Sequence, residues 1–252
     1  MKLITTLAIL SIAAGPALAQ RPTADQLATK KGPLSIQPVQ HGSVVLTWDN
    51  KTLYVDPAGG AEAFTGLPAA DLILITDIHG DHLDPKTLEG IQATKAIVVA
   101  PQAVADKLPA AFKERVVVLR NGERTDQLSI SITAIPMYNL PEDSASRHTK
   151  GRGNGYVLAM GGKKIYFSGD TEDIPEMRSL QNIDVAFVCM NLPYTMDVNQ
   201  AAQAVLAFKP KVVYPYHYRG QDGLSDTGAF KKTVNTANGK IDVRLRNWYP
   251  GT

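Results

Sequence analysis

The sequence predicts an α/β layered domain. Three observations carry this. Continuous apolar runs at 72–75, 185–189 and 212–216 have the length and β-branched content of buried strands. Apolar stretches at 43–48 and 52–55, and again at 156–160 and 164–167, flank short turn segments as hairpins do. Residues 199–208 place Ala201, Ala204, Val205 and Phe208 at helical spacing before Pro210. No low-complexity linker divides the chain, so residues 34–252 read as a single domain of sheets covered by helices.

The elements follow in order. Residues 1–19 have the form of a secretory signal: Lys2, an apolar stretch over 3–14, and the cleavage pattern Ala17-Leu18-Ala19. The expected location is the periplasm or the exterior, with no stable membrane anchor, because a span needs about 20 apolar residues. Residues 20–33 are polar and read as a flexible arm. The first hairpin turns at Asp49-Asn50-Lys51, and a short helix is expected over 85–89. Strands are expected at 96–100 and 116–119, with a helix over 102–108 between them. Residues 128–135 alternate apolar and polar as a half-buried strand.

Of the 252 residues, 44% are hydrophobic and 20% charged, enough to build a core and unlike a disordered chain. The formal charge of +2 falls to +1 without Lys2, which gives no basic patch for nucleic acid. Cys189 is the single cysteine, so no intramolecular disulfide forms, and its apolar run makes it a core thiol.

Chemistry concentrates in Thr76-Asp77-Ile78-His79-Gly80-Asp81-His82-Leu83-Asp84, with two histidines and three carboxylates in nine residues after a buried strand. Imidazole and carboxylate at such spacing suit a divalent metal. His148 stands in a Gly-rich loop, Asp170 follows the strand ending at Phe167, and His217 follows the strand ending at Tyr216. One metal site can gather ligands from several strand ends.

In this order the motifs resemble the metallo-β-lactamase superfamily, from about His41 to His217. The resemblance implies a four-layer αββα sandwich with two divalent metal ions, zinc first, manganese or iron as alternatives. It implies that Asp77, His79 and His148 hold the first ion and Asp81, His82 and His217 the second, with Asp170 bridging. Asp77 stands where the family carries histidine. Either it coordinates, making that site richer in oxygen, or it turns away and the first site weakens. His41-Gly42-Ser43 and Tyr54-Val55-Asp56-Pro57 look like the ascorbate-phosphate lactonase-like branch. His41 either approaches the metals or serves as a satisfied strand-end histidine, and Asp56 is expected to serve a turn.

The implied activity is hydrolysis of an ester, lactone or phosphodiester by a metal-activated hydroxide, with Asp81 orienting the nucleophile. The rival reading is a non-catalytic metal-binding protein with one impaired site. Arg147, Lys150, Arg152 and Arg219 flank the ligand candidates and could meet an anionic small-molecule substrate. Tyr138, Tyr194 and Tyr218 either line a pocket or fill the core.

Overall fold

A computed structural model describes residues 21–249; the signal expected over 1–19 lies outside the described residues. Strands β1 (Asp25–Thr29), β2 (Gly32–Gln40), β3 (Ser43–Trp48), β4 (Lys51–Val55), β5 (Leu72–Leu74), β6 (Ile97–Ala100) and β7 (Val116–Val118) form one seven-stranded sheet in sequence order. The first four pair antiparallel and β4 to β7 pair parallel. Asp49 and Asn50 join β3 to β4 with φ of 50° and 57°, left-handed values that short polar side chains tolerate in a tight hairpin turn.

Period-two alternation builds two cores from one sheet. Val44, Leu46, Leu72 and Leu74 face inward to the main core, while Val45, Ile73, Val98 and Ala100 face outward. The outward face is covered by α1 (Pro85–Gly90), α2 (Gln102–Ala105) and α3 (Ala110–Lys113), whose Leu88, Val104 and Phe112 join the second cluster.

The second seven-stranded sheet contains β8 (Arg124–Gln127), β9 (Ile130–Met137), β10 (Gly153–Met160), β11 (Lys163–Phe167), β12 (Val185–Cys189) and β13 (Val212–Tyr216). A small hairpin, β14 (Arg219–Gly220) and β15 (Gly223–Leu224), stands apart, and β16 (Asp242–Val243) closes the edge beside β13. From β8 to β11 the pairing is antiparallel, and from β11 through β12, β13 and β16 it is parallel. Helices α4 (Pro175–Arg178), α5 (Val198–Phe208) and α6 (Thr227–Ala237) complete the fourth layer. Phe208 of α5 meets Tyr166 of β11 edge-on at 5.9 Å. The architecture is the αββα sandwich that the resemblance implied.

Three local expectations change. The arm expected over 20–33 includes an edge strand: β1 pairs with β2 from Asp25↔Ile36 to Thr29↔Gly32. Leu27 packs on the main core, and Asp25 receives Arg246 and the Tyr214 hydroxyl. One apolar residue among polar neighbours is too short a signal for a strand. The helix expected over 102–108 ends at Ala105, because Pro109 disfavours helical backbone just before it and starts α3 instead. Strand β8 and helix α6, capped by Asp226, were not anticipated from the sequence. No helix among the described residues is long and apolar enough to cross a membrane.

Candidate metal centre

Parallel strands aim their C-terminal ends at one edge of the sandwich. Asp56 follows β4, Thr76 and Asp77 follow β5, Asp170 follows β11, Asn191 follows β12 and His217 follows β13. Ligands in parallel α/β sheets bind outside such strand ends. Antiparallel β2 and β3 deliver His41 from their turn, and its carbonyl accepts the His217 N–H at 3.1 Å, tying the two sheets together. His41, Asp56 and His217 take φ of 50°, 45° and 46°, a left-handed geometry that costs a non-glycine residue about 1 kcal/mol or more. Gly42 packs closely on the centre: a Cβ there would lie 3.2 Å from the His217 ring, tighter than an ordinary contact.

All seven sequence-derived ligand candidates converge. His82 Nε2 and His217 Nε2 lie 3.1 Å apart, and each lies 3.4 Å from Asp170. Asp81 Oδ2 is 3.4 Å from His217 Nε2. On the other side, His148 Nε2 is 3.3 Å from Asp170 and 3.9 Å from Asp77, while His79 Nδ1 lies 2.5 Å from Asp77.

The residues fit divalent ions. Ligand atoms about 2.0–2.1 Å from a tetrahedral zinc stand roughly 3.3–3.4 Å from one another, close to most of these spacings. His79 Nδ1, His148 Nε2 and Asp170 Oδ1 are buried without a hydrogen-bond partner among the described residues. For His79 the short approach to Asp77 therefore lacks hydrogen-bond direction, as two donors aimed at a common point would. Orphaned buried polar atoms cost about 1–3 kcal/mol each, so their clustering calls for a ligand. Two triads, Asp77–His79–His148 and His82–Asp170–His217, have donor atoms close enough for one ion each, and a third, His41–Asp81–His217, overlaps the second.

A surrounding shell aims the rings. The His82 Nδ1–H donates to Asp56 at 2.8 Å, leaving Nε2 facing the centre. Asp56 is fully buried and also accepts from the Thr76 N–H at 2.8 Å and the Thr76 hydroxyl at 2.6 Å. It does turn the chain, as expected, but its carboxylate is the orienter of a ligand, which the sequence reading missed. Its signal was an Asp ending a buried strand one place from the motif strand. His148 Nδ1–H donates to the Tyr194 carbonyl at 3.2 Å, and the Asn191 amide sits 2.9 Å from His217 Nδ1. His41 reaches the centre: Nε2 lies 3.1 Å from Asp81, and Nδ1 lies 2.8 Å from the Tyr249 hydroxyl.

Electrostatics follow the geometry. Burial alone would lower the His82 pKa, yet the facing Asp170 and Asp56 carboxylates raise it well above the ordinary value. Burial would raise Asp170, but His217 and His82 hold it well below the usual carboxylate range. Asp81 is likewise held far down, hydrogen bonds from His217 and His41 overcoming its burial. Burial depresses the His41 pKa despite its bond to Asp81.

The four flanking cations part company. Arg152 binds Asp77 through Nε at 3.3 Å and Nη2 at 3.2 Å, so it is engaged inside the centre and not offered to substrate. Lys150 is shared by Glu142 and Glu176 at 2.9 and 3.1 Å. Arg147 lies over Tyr194 at 4.5 Å and Arg219 over Tyr249 at 4.3 Å. Tyr138 and Tyr218 are core residues. Buried Cys189 has its thiol pushed up to about 11 by desolvation, an inert core thiol as expected.

A β-lactamase superfamily domain model matches residues 35–217, and the chain belongs to that family. A UPF0173 metal-dependent hydrolase of Pyrococcus abyssi is 31% identical over 201 residues, covering 73% of this chain and 85% of the relative. The crystal structure of a Parabacteroides distasonis protein, described as a candidate metal-dependent hydrolase, is 40% identical with a TM-score of 0.80, covering 90% of this chain and 99% of that one. A metallo-β-lactamase-fold protein of Bacillus subtilis, 12% identical, shares the fold at a TM-score of 0.67, covering 82% and 88%.

Proposed function

We propose that this member of the β-lactamase superfamily is an exported metal-dependent hydrolase of ester, lactone or phosphodiester bonds. The observation that carries the reading is the convergence of three orphaned buried ligand atoms, on His79, His148 and Asp170, with the paired Nε2 atoms of His82 and His217. The names of the Pyrococcus and Parabacteroides relatives support it. The signal-like sequence pattern over 1–19 supports export, and the resemblance of the His41-Gly42-Ser43 opening to the lactonase-like branch supports a lactone among the substrates.

Asp77, His79 and His148 would hold one ion and Asp81, His82 and His217 the other, with Asp170 between. Bound ions supply Lewis-acid polarisation of the scissile oxygen and an acidified water. The chain supplies position. Asp56, Tyr194 and Asn191 fix the rings of His82, His148 and His217. Asp81, whose side chain is 39% exposed, lines the adjoining cavity. Its carboxylate stays ionised, so it accepts a hydrogen bond from the attacking water and orients it instead of retaining its proton. His41 fixes the Asp81 rotamer through the 3.1 Å contact.

One observation favours the rival, non-catalytic reading. Arg152 already neutralises Asp77, which competes with a cation at the first site. Metal content measured by mass spectrometry on protein from the exported fraction, beside a panel of lactones, esters and phosphodiesters, separates the two. About two metal equivalents with turnover, the count a dinuclear hydrolase needs, supports the enzyme. One equivalent or none, with no turnover on the panel, supports the binding protein.

A further inference from the structure

The cavity beside Asp81 has a volume of about 560 Å³, the size of a small-molecule site. Asp81 and His41 are among its lining residues, and so are Arg219 and Tyr249, the last in direct contact with His41. Arg219 is the one lysine or arginine in that lining. Of the four cations flanking the ligands, Lys150 and Arg152 are spent on carboxylates. No carboxylate reaches the Arg219 guanidinium among the described residues; instead it lies over the Tyr249 ring at 4.3 Å. That ring is itself fixed, since the Tyr249 oxygen accepts the Arg219 N–H at 2.9 Å and contacts His41 Nδ1 at 2.8 Å. An arginine stacked this way keeps its planar fork of donors for a ligand at reduced entropic cost.

Trp248 also lines the cavity, with its fully buried ring packed against Phe187 and Tyr216 of the main core. The lining carboxylate Asp84 is already saturated by Thr87, Lys86 and Gly59, so it adds no open acceptor.

We infer that this cavity binds the non-reacting end of a substrate bearing an oxyanion, carboxylate or phosphate, with Arg219 as its specificity-determining residue. The inference rests on the cavity being the substrate site of the proposed hydrolase. One phenol ring and one imidazole separate the Arg219 stack from Asp81, so a substrate a few bonds long spans from oxyanion to scissile bond.

The test is equilibrium binding to metal-loaded protein by titration calorimetry, read without turnover and therefore independent of whether hydrolysis is found. Succinate and glycerol 3-phosphate are the probes, with succinamide and glycerol as neutral counterparts. Arg219→Gln should weaken the preferred anion by roughly tenfold or more, the size of one charge-assisted hydrogen bond. Neutral-ligand binding should not move, and Arg219→Lys should fall between. Arg147→Gln, outside the cavity lining, should leave affinity unchanged. The stronger of the two anions names the head group. Failure of both to bind wild-type protein, equal affinity in Arg219→Gln, or an equal loss in Arg147→Gln would overturn the proposal.

Discussion

The Asp56 carboxylate sits 2.8 Å from His82 Nδ1, both side chains fully buried. The pair links the end of β4 to the metal motif after β5, and the two residues stand 26 apart in sequence. It fixes the ring so that only Nε2 faces the centre. Asp56→Asn keeps the volume and the Thr76 contact but loses the charge. We expect metal affinity to fall by about 10–100-fold, the usual cost of losing such a partner, read by competition with a metal-buffering chelator. Unchanged affinity would make Asp56 a turn residue alone.

Removing a ligand ring should be more severe. His82→Ala or His217→Ala opens a coordination position and should lower metal content by about one equivalent, with loss of any activity. Full metal content in both variants would show the ligand assignment to be wrong.

Arg152 pairs with Asp77, a ligand candidate of the proposed first site. Asp77→His should raise first-site affinity, because the imidazole takes no guanidinium partner. The freed Arg152, about one-fifth exposed, turns to solvent. Metal equivalents per chain under limiting free zinc provide the readout. No change would mean that the Asp77 carboxylate does not face the ion.

The pKa shifts set opposite pH trends for metal-free and metal-loaded protein. The raised His82 pKa contributes stability that is fully present below its unfolded value near 6.5 and is lost as pH rises through the folded value. The depressed Asp170 pKa contributes stability above about 3.8 that is lost as pH falls through its lower folded value. Metal-free protein should therefore melt highest at mildly acidic pH. Metal binding displaces the His82 proton, so the rise in Tm on adding zinc should grow with pH. A zinc-induced shift constant from pH 5.5 to 8.5 would contradict this.

The main core offers an independent check on the sandwich. Phe187 stacks on Phe167 at 4.5 Å and Tyr214 at 5.0 Å and meets Trp248 edge-on at 6.2 Å. Phe187→Ala should cost about 3–5 kcal/mol of unfolding free energy, measured by denaturant titration. A cost below about 1 kcal/mol would mean that the cavity collapses without loss.

The ligand motif and the strands that carry it were legible in the sequence because both signals are local. Buried runs at 72–75 and 212–216 place His79, His82 and His217 at strand ends, and alternation in 128–135 marks β9. Strand β1 and helix α6 escaped, since Leu27 alone marks one and the other has a mostly polar surface with only Phe230 and Val234 buried.

By itself the sequence determined an α/β layered domain, through hydrophobic period, and the seven ligand candidates, through residue types whose chemistry is metal binding; the αββα order came from the resemblance those motifs carry. Tertiary structure alone decided the partners: Asp56 for His82, Arg152 for Asp77, and Tyr249 for His41. These pairs stand 26, 75 and 208 residues apart. A periodic pattern reports which face a residue takes, but only the folded arrangement of neighbouring strand ends and of the two facing sheets brings these side chains within hydrogen-bond distance.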